Sequence, residues 1–147
     1  MFKRILVPVD GSKGAEAALD MALQLQSATG GKAELLILTV FRHHGQLEAS
    51  FSMVRASEPN NIDDALRDHA KEIAESGKAH AKKSGAKKVR AFVKNGPPAR
   101  SIVAFAREHE VDLIVLGSRG LGSIEGYLLG SVSHKVTGLA ECPVLVV

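Results

Sequence analysis

Leu113-Ile114-Val115-Leu116 is an unbroken apolar run with no polar side to turn toward water. A strand with one wetted face alternates; a continuous Leu/Ile/Val run needs cover on both faces, which helices flanking a parallel sheet supply. Three segments read this way: Phe2–Val9, Leu35–Phe41 and Asp112–Gly117. Lys88–Lys94 alternates instead, with Val89, Ala91 and Val93 on one side and Lys88, Arg90 and Lys94 on the other, as in a half-exposed edge strand. A fifth strand is expected at Pro143–Val147, opened by a proline where the missing N–H is tolerated. For the same reason Pro8 fits only near the C-terminal end of the first strand.

Helical periods fill the intervals. Ala15–Thr29 carries Ala18, Ala22 and Leu25 on one face and stops at Gly30-Gly31. Ile62–Ser84 runs through Ala65, Leu66, Ala70 and Ile73 to Gly85, and Pro98–His109 starts after Pro97. Ser131–Ala140 puts Val132, Val136 and Leu139 on one face. The resulting order, β-α-β-α-β-α-β-α-β, implies right-handed crossovers and an α/β fold built on one doubly wound parallel sheet. Arg42–Asn61 is about 20 residues of weak periodicity, long for a connection, and reads as a lid, a partner surface or a partly helical excursion.

The chain has 147 residues, which suits a single domain over 1–147 with a core that needs no disulfide staples. One cysteine, Cys142, fits a reducing compartment. No apolar run approaches the ~18–20 residues of a membrane span, so no membrane insertion is expected. The opening Met1-Phe2-Lys3-Arg4 leads straight into a strand pattern without a signal-peptide core, and a cytoplasmic protein is the expectation.

The net charge of +3 hides an asymmetry. Between Ser76 and Arg107 stand nine basic residues and no acidic one. A basic block of this kind marks either a nucleic-acid surface or a solvated helix end followed by a charge-guarded sheet edge. With no ribonucleoprotein or zinc-finger spacing and only six aromatics, the second reading is preferred and nucleic acid is not the expected partner.

In open α/β sheets, ligands bind beyond the carboxyl ends of the strands at the topological switch point. Two strand exits are rich in glycine and small polar residues: Val9-Asp10-Gly11-Ser12-Lys13-Gly14, and Gly117-Ser118-Arg119-Gly120 running on to Gly130-Ser131 at the start of the last helix. Glycines let main-chain N–H groups approach a phosphate, and a helix N-terminus at Ser131 favours the anion. Ser131 and Ser133 add hydroxyls and Arg119 a cation. The Walker loop is absent, and Gly120-x-Gly122-x-x-x-Gly126 is one residue too long for the dinucleotide fingerprint. There is no G-x-S-x-G elbow, and His43-His44-Gly45 continues with Gln46 rather than completing an H-x-G-H motif.

What does occur is Gly117-x2-Gly120-x9-Gly130-Ser131. With Ile5-Leu6-Val7-Pro8-Val9-Asp10-Gly11-Ser12 before it and Cys142-Pro143-Val144-Leu145-Val146-Val147 after it, the whole chain resembles the ATP-binding universal stress proteins. The resemblance implies an adenine nucleotide alpha hydrolase-like sheet of five strands in the order 3-2-1-4-5, with helices on both faces. It also implies site roles. Pro8, Val9, Asp10 and main-chain groups near Val40 would hold adenine and ribose. Gly117, Ser118, Arg119, Gly120, Gly130, Ser131, Val132 and Ser133 would surround the phosphates of ATP. Asp10 is explained equally by a ribose hydroxyl and by a nearby divalent ion such as Mg2+. Glu125, inside the nine-residue spacer, departs from a phosphate-facing role and is expected to point outward. A short stretch, His43 to Ser50, is similar to TeaD-type members associated with osmolyte transporters, which implies a transporter or regulatory protein as partner.

Other candidates have simpler explanations. His69 and His80, 11 residues apart on one helix, lie about 16 Å apart and cannot share an ion. Ser131 and His134 lack an orienting acid, so no catalytic residue is assigned. Lys13 reads as a solvated turn residue and Cys142 as a structural thiol. The apolar final strand carries no guarding charge, and the expectation is a homodimer through Pro143–Val147, with higher oligomers left open. The expected function is a nucleotide-dependent stress or regulatory module; the alternative is a slow ATP hydrolase using the same pocket.

Overall fold

The computed structural model describes residues 1–42, 59–118 and 129–147, with side chains described from residue 62 in the middle section. Nine elements follow one another: β1 (Arg4–Pro8), α1 (Lys13–Ala28), β2 (Glu34–Phe41), α2 (Pro59–Lys83), β3 (Val89–Asn95), α3 (Pro98–Glu108), β4 (Leu113–Leu116), α4 (Ser131–Leu139) and β5 (Val144–Val146). Their ends fall within three residues of those read from periodicity. Of the Arg42–Asn61 stretch, residues 43–58 lie outside the described residues, and 59–61 open α2.

The five strands form one parallel sheet in the order β3-β2-β1-β4-β5, as expected. Ile5 stands between Leu35 and Leu113, and Leu6 between Leu36 and Ile114. Successive residues of each apolar run serve opposite cores. Ile5, Val7, Leu35, Ile37, Leu113 and Val115 pack beneath α1 and α2. Leu6, Leu36, Leu38, Ile114 and Leu116 pack beneath α3 and α4. That two-sided burial is why these strands carry no alternation.

Local chemistry sets the helix ends. Ser12 caps α1 by accepting the Ala15 N–H at 3.2 Å. The helix stops where Gly30 and Gly31 take φ of +82° and +71°, which side chains with a Cβ rarely adopt. Gln26, though polar, is buried in this last turn; its amide donates to the Ala33 carbonyl at 2.7 Å, and so satisfies a buried acceptor.

Three packing details depart from the sequence reading. Leu139 is 51% exposed and Leu66 38% exposed, so neither belongs to the core. α2 instead lays Ala70, Ala74 and Ala81 against the sheet, with Gly77 bringing its backbone close to Ile37. Small residues let a long helix approach a surface already filled by Leu and Ile side chains. Phe92 turns to the opposite face from Ala91 and packs edge-on to Phe105, ring centroids 4.9 Å apart. No described helix is long and apolar enough to cross a membrane.

Candidate functional site

The strand order makes the gap between β1 and β4 the place where the chain's winding reverses, since β1 leads outward toward β2 and β4 toward β5. Both glycine-rich exits open at the carboxyl end of that gap. Pro8 is the last residue of β1, half-buried, and Val9 follows it with its N–H bonded to Leu38 O at 2.8 Å. Asp10 is half-buried, and its Oδ1 accepts the Ser12 N–H at 3.0 Å, a tight local turn in which Gly11 takes φ +85°. Val40 is half-buried near the end of β2 and packs toward the α3–α4 core.

The β4 exit lies in contact with the first turn of α1. A Cβ placed on Gly117 would stand 2.6 Å from both the carbonyl carbon and the oxygen of Gly14. Only a residue without a side chain fits between these two stretches of backbone. From Gly117 the exit is tied in two directions. Ser118 N–H donates to Val147 O at 2.9 Å, which anchors the final residue, and Ser118 O accepts the Gly130 N–H. Ser133, only 5% exposed, donates its hydroxyl to the Gly117 carbonyl.

These bonds hold the N-terminus of α4 over the same gap. Gly130 is its N-cap and supplies no side-chain cap, while the His134 N–H already bonds to Gly130 O at 2.9 Å. The main-chain N–H groups of Ser131, Val132 and Ser133 are the orphan donors of such a first turn, and the helix dipole adds partial positive charge there. The Ser133 hydroxyl expected to face a ligand is committed to Gly117, so what this residue offers is its N–H. Ser131 is exposed, and Val132 is half-buried against the α3–α4 core. Arg119, Gly120 and Glu125 lie outside the described residues.

Pro8, Val9, Asp10, Gly117, Ser118, Gly130, Ser131, Val132 and Ser133 thus stand on the two exits that flank one gap, with Val40 at the neighbouring strand end. The spacing of small residues pointed to the two exits, and the strand order that the family resemblance implied put them at one gap. The Gly14–Gly117 approach and the tie to Val147 did not announce themselves, because each pairs residues more than 25 positions apart. Thr39 Oγ1, buried in β2, has no hydrogen-bond partner among the described residues.

The other candidates lie elsewhere. His80 pairs with Asp20 at 2.8 Å and bridges α2 to α1; His69 and His134 are exposed; Lys13 is exposed at the start of α1. His43 and His44 lie outside the described residues. The His109 ring stacks on Phe105 at 3.8 Å. No three His, Cys, Asp or Glu side chains cluster as metal ligands among the described residues. Cys142 is half-buried, and burial pushes its thiol pKa up; a main-chain hydrogen bond opposes this, and Asp112 and Glu141 add to the rise.

The model of the universal stress protein family matches residues 1–147. Universal stress protein YxiE of Bacillus subtilis is 39% identical over 151 residues, covering 100% of this chain and 99% of that protein. The solved structure of universal stress protein UspA from Lactobacillus plantarum superposes with a TM-score of 0.83 at 29% identity, over 99% of this chain and 97% of the other. A crystal structure of a universal stress protein in complex with cAMP gives 0.72 at 30% identity, over 99% and 97% of the two chains.

Proposed function

The chain belongs to the universal stress protein family, and from that premise we propose that it is a cytoplasmic ATP-binding regulatory module whose nucleotide occupancy alters assembly or partner contact. The observation that carries this reading is the first turn of α4, uncapped by any side chain and held by Ser133 and Ser118 over the gap between β1 and β4. Phosphates are the ligands that such a turn favours. In this reading Pro8, Val9 and Val40 border adenine, and Asp10 receives a ribose hydroxyl or stands near the Mg2+ that accompanies the nucleotide. Gly117, Ser118, Gly130, Ser131, Val132 and Ser133, with Arg119 and Gly120, surround the phosphates. The relative bound to cAMP supports an adenine nucleotide as the ligand class.

Binding is preferred over hydrolysis because turnover needs a group to position water. Asp10, the carboxylate described at these exits, already holds the Ser12 backbone. A second copy is the proposed assembly partner, met through Pro143–Val147. β5 is the last strand of the sheet, and Leu145 on it is 36% exposed. The link to an osmolyte transporter rests on the His43–Ser50 resemblance, and a pull-down with that transporter, with and without ATP, tests it.

The deciding experiment denatures the purified protein and chromatographs what it releases. Adenine nucleotide is expected, and Gly130→Val is expected to abolish it. Gly130 has φ −70° and ψ 164°, dihedrals that valine also adopts, so the added side chain blocks close approach of a phosphate without forcing an unfavourable φ/ψ. Unchanged nucleotide content in Gly130→Val refutes the phosphate site. Titration calorimetry with ATP and with cAMP then tells which of the two the gap takes. Steady phosphate release lost in Arg119→Ala would move the assignment to a hydrolase.

A further inference from the structure

β3 is the outer strand on the side of the sheet opposite β5. Its ladder with β2 is bracketed by Leu35 N–H to Lys88 O at 2.8 Å and Gly96 N–H to Phe41 O at 2.9 Å. In a parallel pair the residues that bond to the neighbour alternate along the strand. With Leu35 opposite Val89 and Phe41 opposite Asn95, the inward-bonding residues are Arg90, Phe92 and Lys94. Val89, Ala91 and Val93 therefore turn their N–H and C=O groups outward. No strand of the described residues pairs with them.

Ala91 and Val93 also line a groove of about 440 Å3 between β3 and α2, together with Ala74. The same groove is bordered on α2 by two cations, Arg67 and Lys71, against one carboxylate, Glu75. Among the described residues neither of the two cations has an ion pair. Arg90, a charge of this edge strand, turns its side chain back toward β2. Its Nη2 lies 2.7 Å from Glu34 Oε1, and its guanidinium lies over the Phe92 ring at 5.3 Å.

We propose that this edge and groove form a docking site for an extended acidic peptide, which adds to the sheet as a sixth strand. Its backbone pairs with Ala91 and Val93, and its carboxylates face Arg67 and Lys71. Alternating outward donors and acceptors match a strand. A nucleic acid would meet the outward carbonyls of Ala91 and Val93 with its phosphates and gain no ladder. A second copy of β3 would bring like charges together. The site is separate from the gap between β1 and β4, so nucleotide binding and peptide binding can be scored independently.

The test is fluorescence anisotropy of a labelled heptapeptide of alternating glutamate and valine against the full chain at low salt, with a lysine–valine peptide as control. Saturable binding of the acidic peptide is expected. Val93→Pro removes one outward N–H while leaving the β2 ladder bonds in place, and should weaken binding tenfold or more. The double variant Arg67→Glu/Lys71→Glu changes exposed helix positions, should weaken binding by a similar factor, and decides the matter if Val93→Pro fails to fold by circular dichroism. Absence of saturable binding, equal binding of the lysine peptide, or unchanged affinity in a folded variant overturns the proposal. So does a single-stranded RNA that binds more tightly and ignores Val93→Pro.

Discussion

Replacing Gly117 by alanine tests the contact on which the candidate site is built. The added methyl would lie 2.6 Å from two main-chain atoms of Gly14 and 3.0 Å from its Cα. Carbon contacts are ordinarily ~3.5–4.0 Å, and backbone cannot rotate away as a side chain can. The β4 exit and the first turn of α1 must therefore part by about 1 Å. Overpacking of this kind costs ~1–3 kcal/mol. At about 2–4 °C per kcal/mol for a chain of this size, a mid-range cost lowers the melting temperature by roughly 4–8 °C. Gly138→Ala is the matched opposite: the same methyl, on a helical glycine with nothing within 4 Å. There alanine should stabilise by about 0.5–1 kcal/mol, through helix propensity alone. Differential scanning calorimetry of the two variants beside the parent reads both signs. Because the Gly117 carbonyl receives the Ser133 hydroxyl, its displacement also shifts the first turn of α4. Nucleotide content should fall in Gly117→Ala and hold in Gly138→Ala. A Gly117→Ala protein that melts within about 1 °C of the parent would refute the close approach and the site geometry drawn from it.

Three further outcomes follow from particular contacts. Gln26→Leu leaves the buried Ala33 carbonyl without its 2.7 Å donor and should cost ~1–3 kcal/mol by urea denaturation; a loss below a few tenths of a kcal/mol would mean the carbonyl finds another partner. The raised Cys142 pKa means that the folded chain keeps the thiol proton to higher pH than the unfolded chain does. Its contribution to stability is intact below the unfolded thiol pKa of about 8.5 and is lost as pH climbs through the folded value. Reaction with a disulfide reagent at pH 8 should accordingly be slower for native than for urea-unfolded protein, and equal rates would contradict the burial. On the proposed dimer through β5, Leu145→Lys places a charge in the interface, so the parent should scatter at twice the monomer mass and the variant at the monomer mass. A variant that still scatters as a dimer would move the interface elsewhere.

How much was legible follows from the kind of information each feature uses. The parallel sheet was visible in Leu113 to Leu116 and Leu35 to Leu38, because two-sided burial removes alternation from the chain itself. The helix stops at Gly30-Gly31 and Gly85 were equally local. Phe92 was missed because the alternation of Lys88 to Lys94 was read as one dry and one wet side. The wet side holds an aromatic ring that finds Phe105 and His109, residues brought there only by the α3 crossover. Leu66 and Leu139 fit the helical period yet stand exposed, because period alone does not say how far cover extends.

The sequence by itself determined the elements, the two glycine-rich exits and, through family resemblance, the strand order, since these depend on residue type and spacing along the chain. Only the tertiary structure decided that Gly117 rests on Gly14, that the Ser133 hydroxyl is spent on the Gly117 carbonyl, and that Arg90 folds back onto Glu34 while the main-chain groups of Ala91 and Val93 face outward. Each of these depends on the distance between residues far apart in the chain. Short-range periodicity carries no record of that distance; packing and strand register set it.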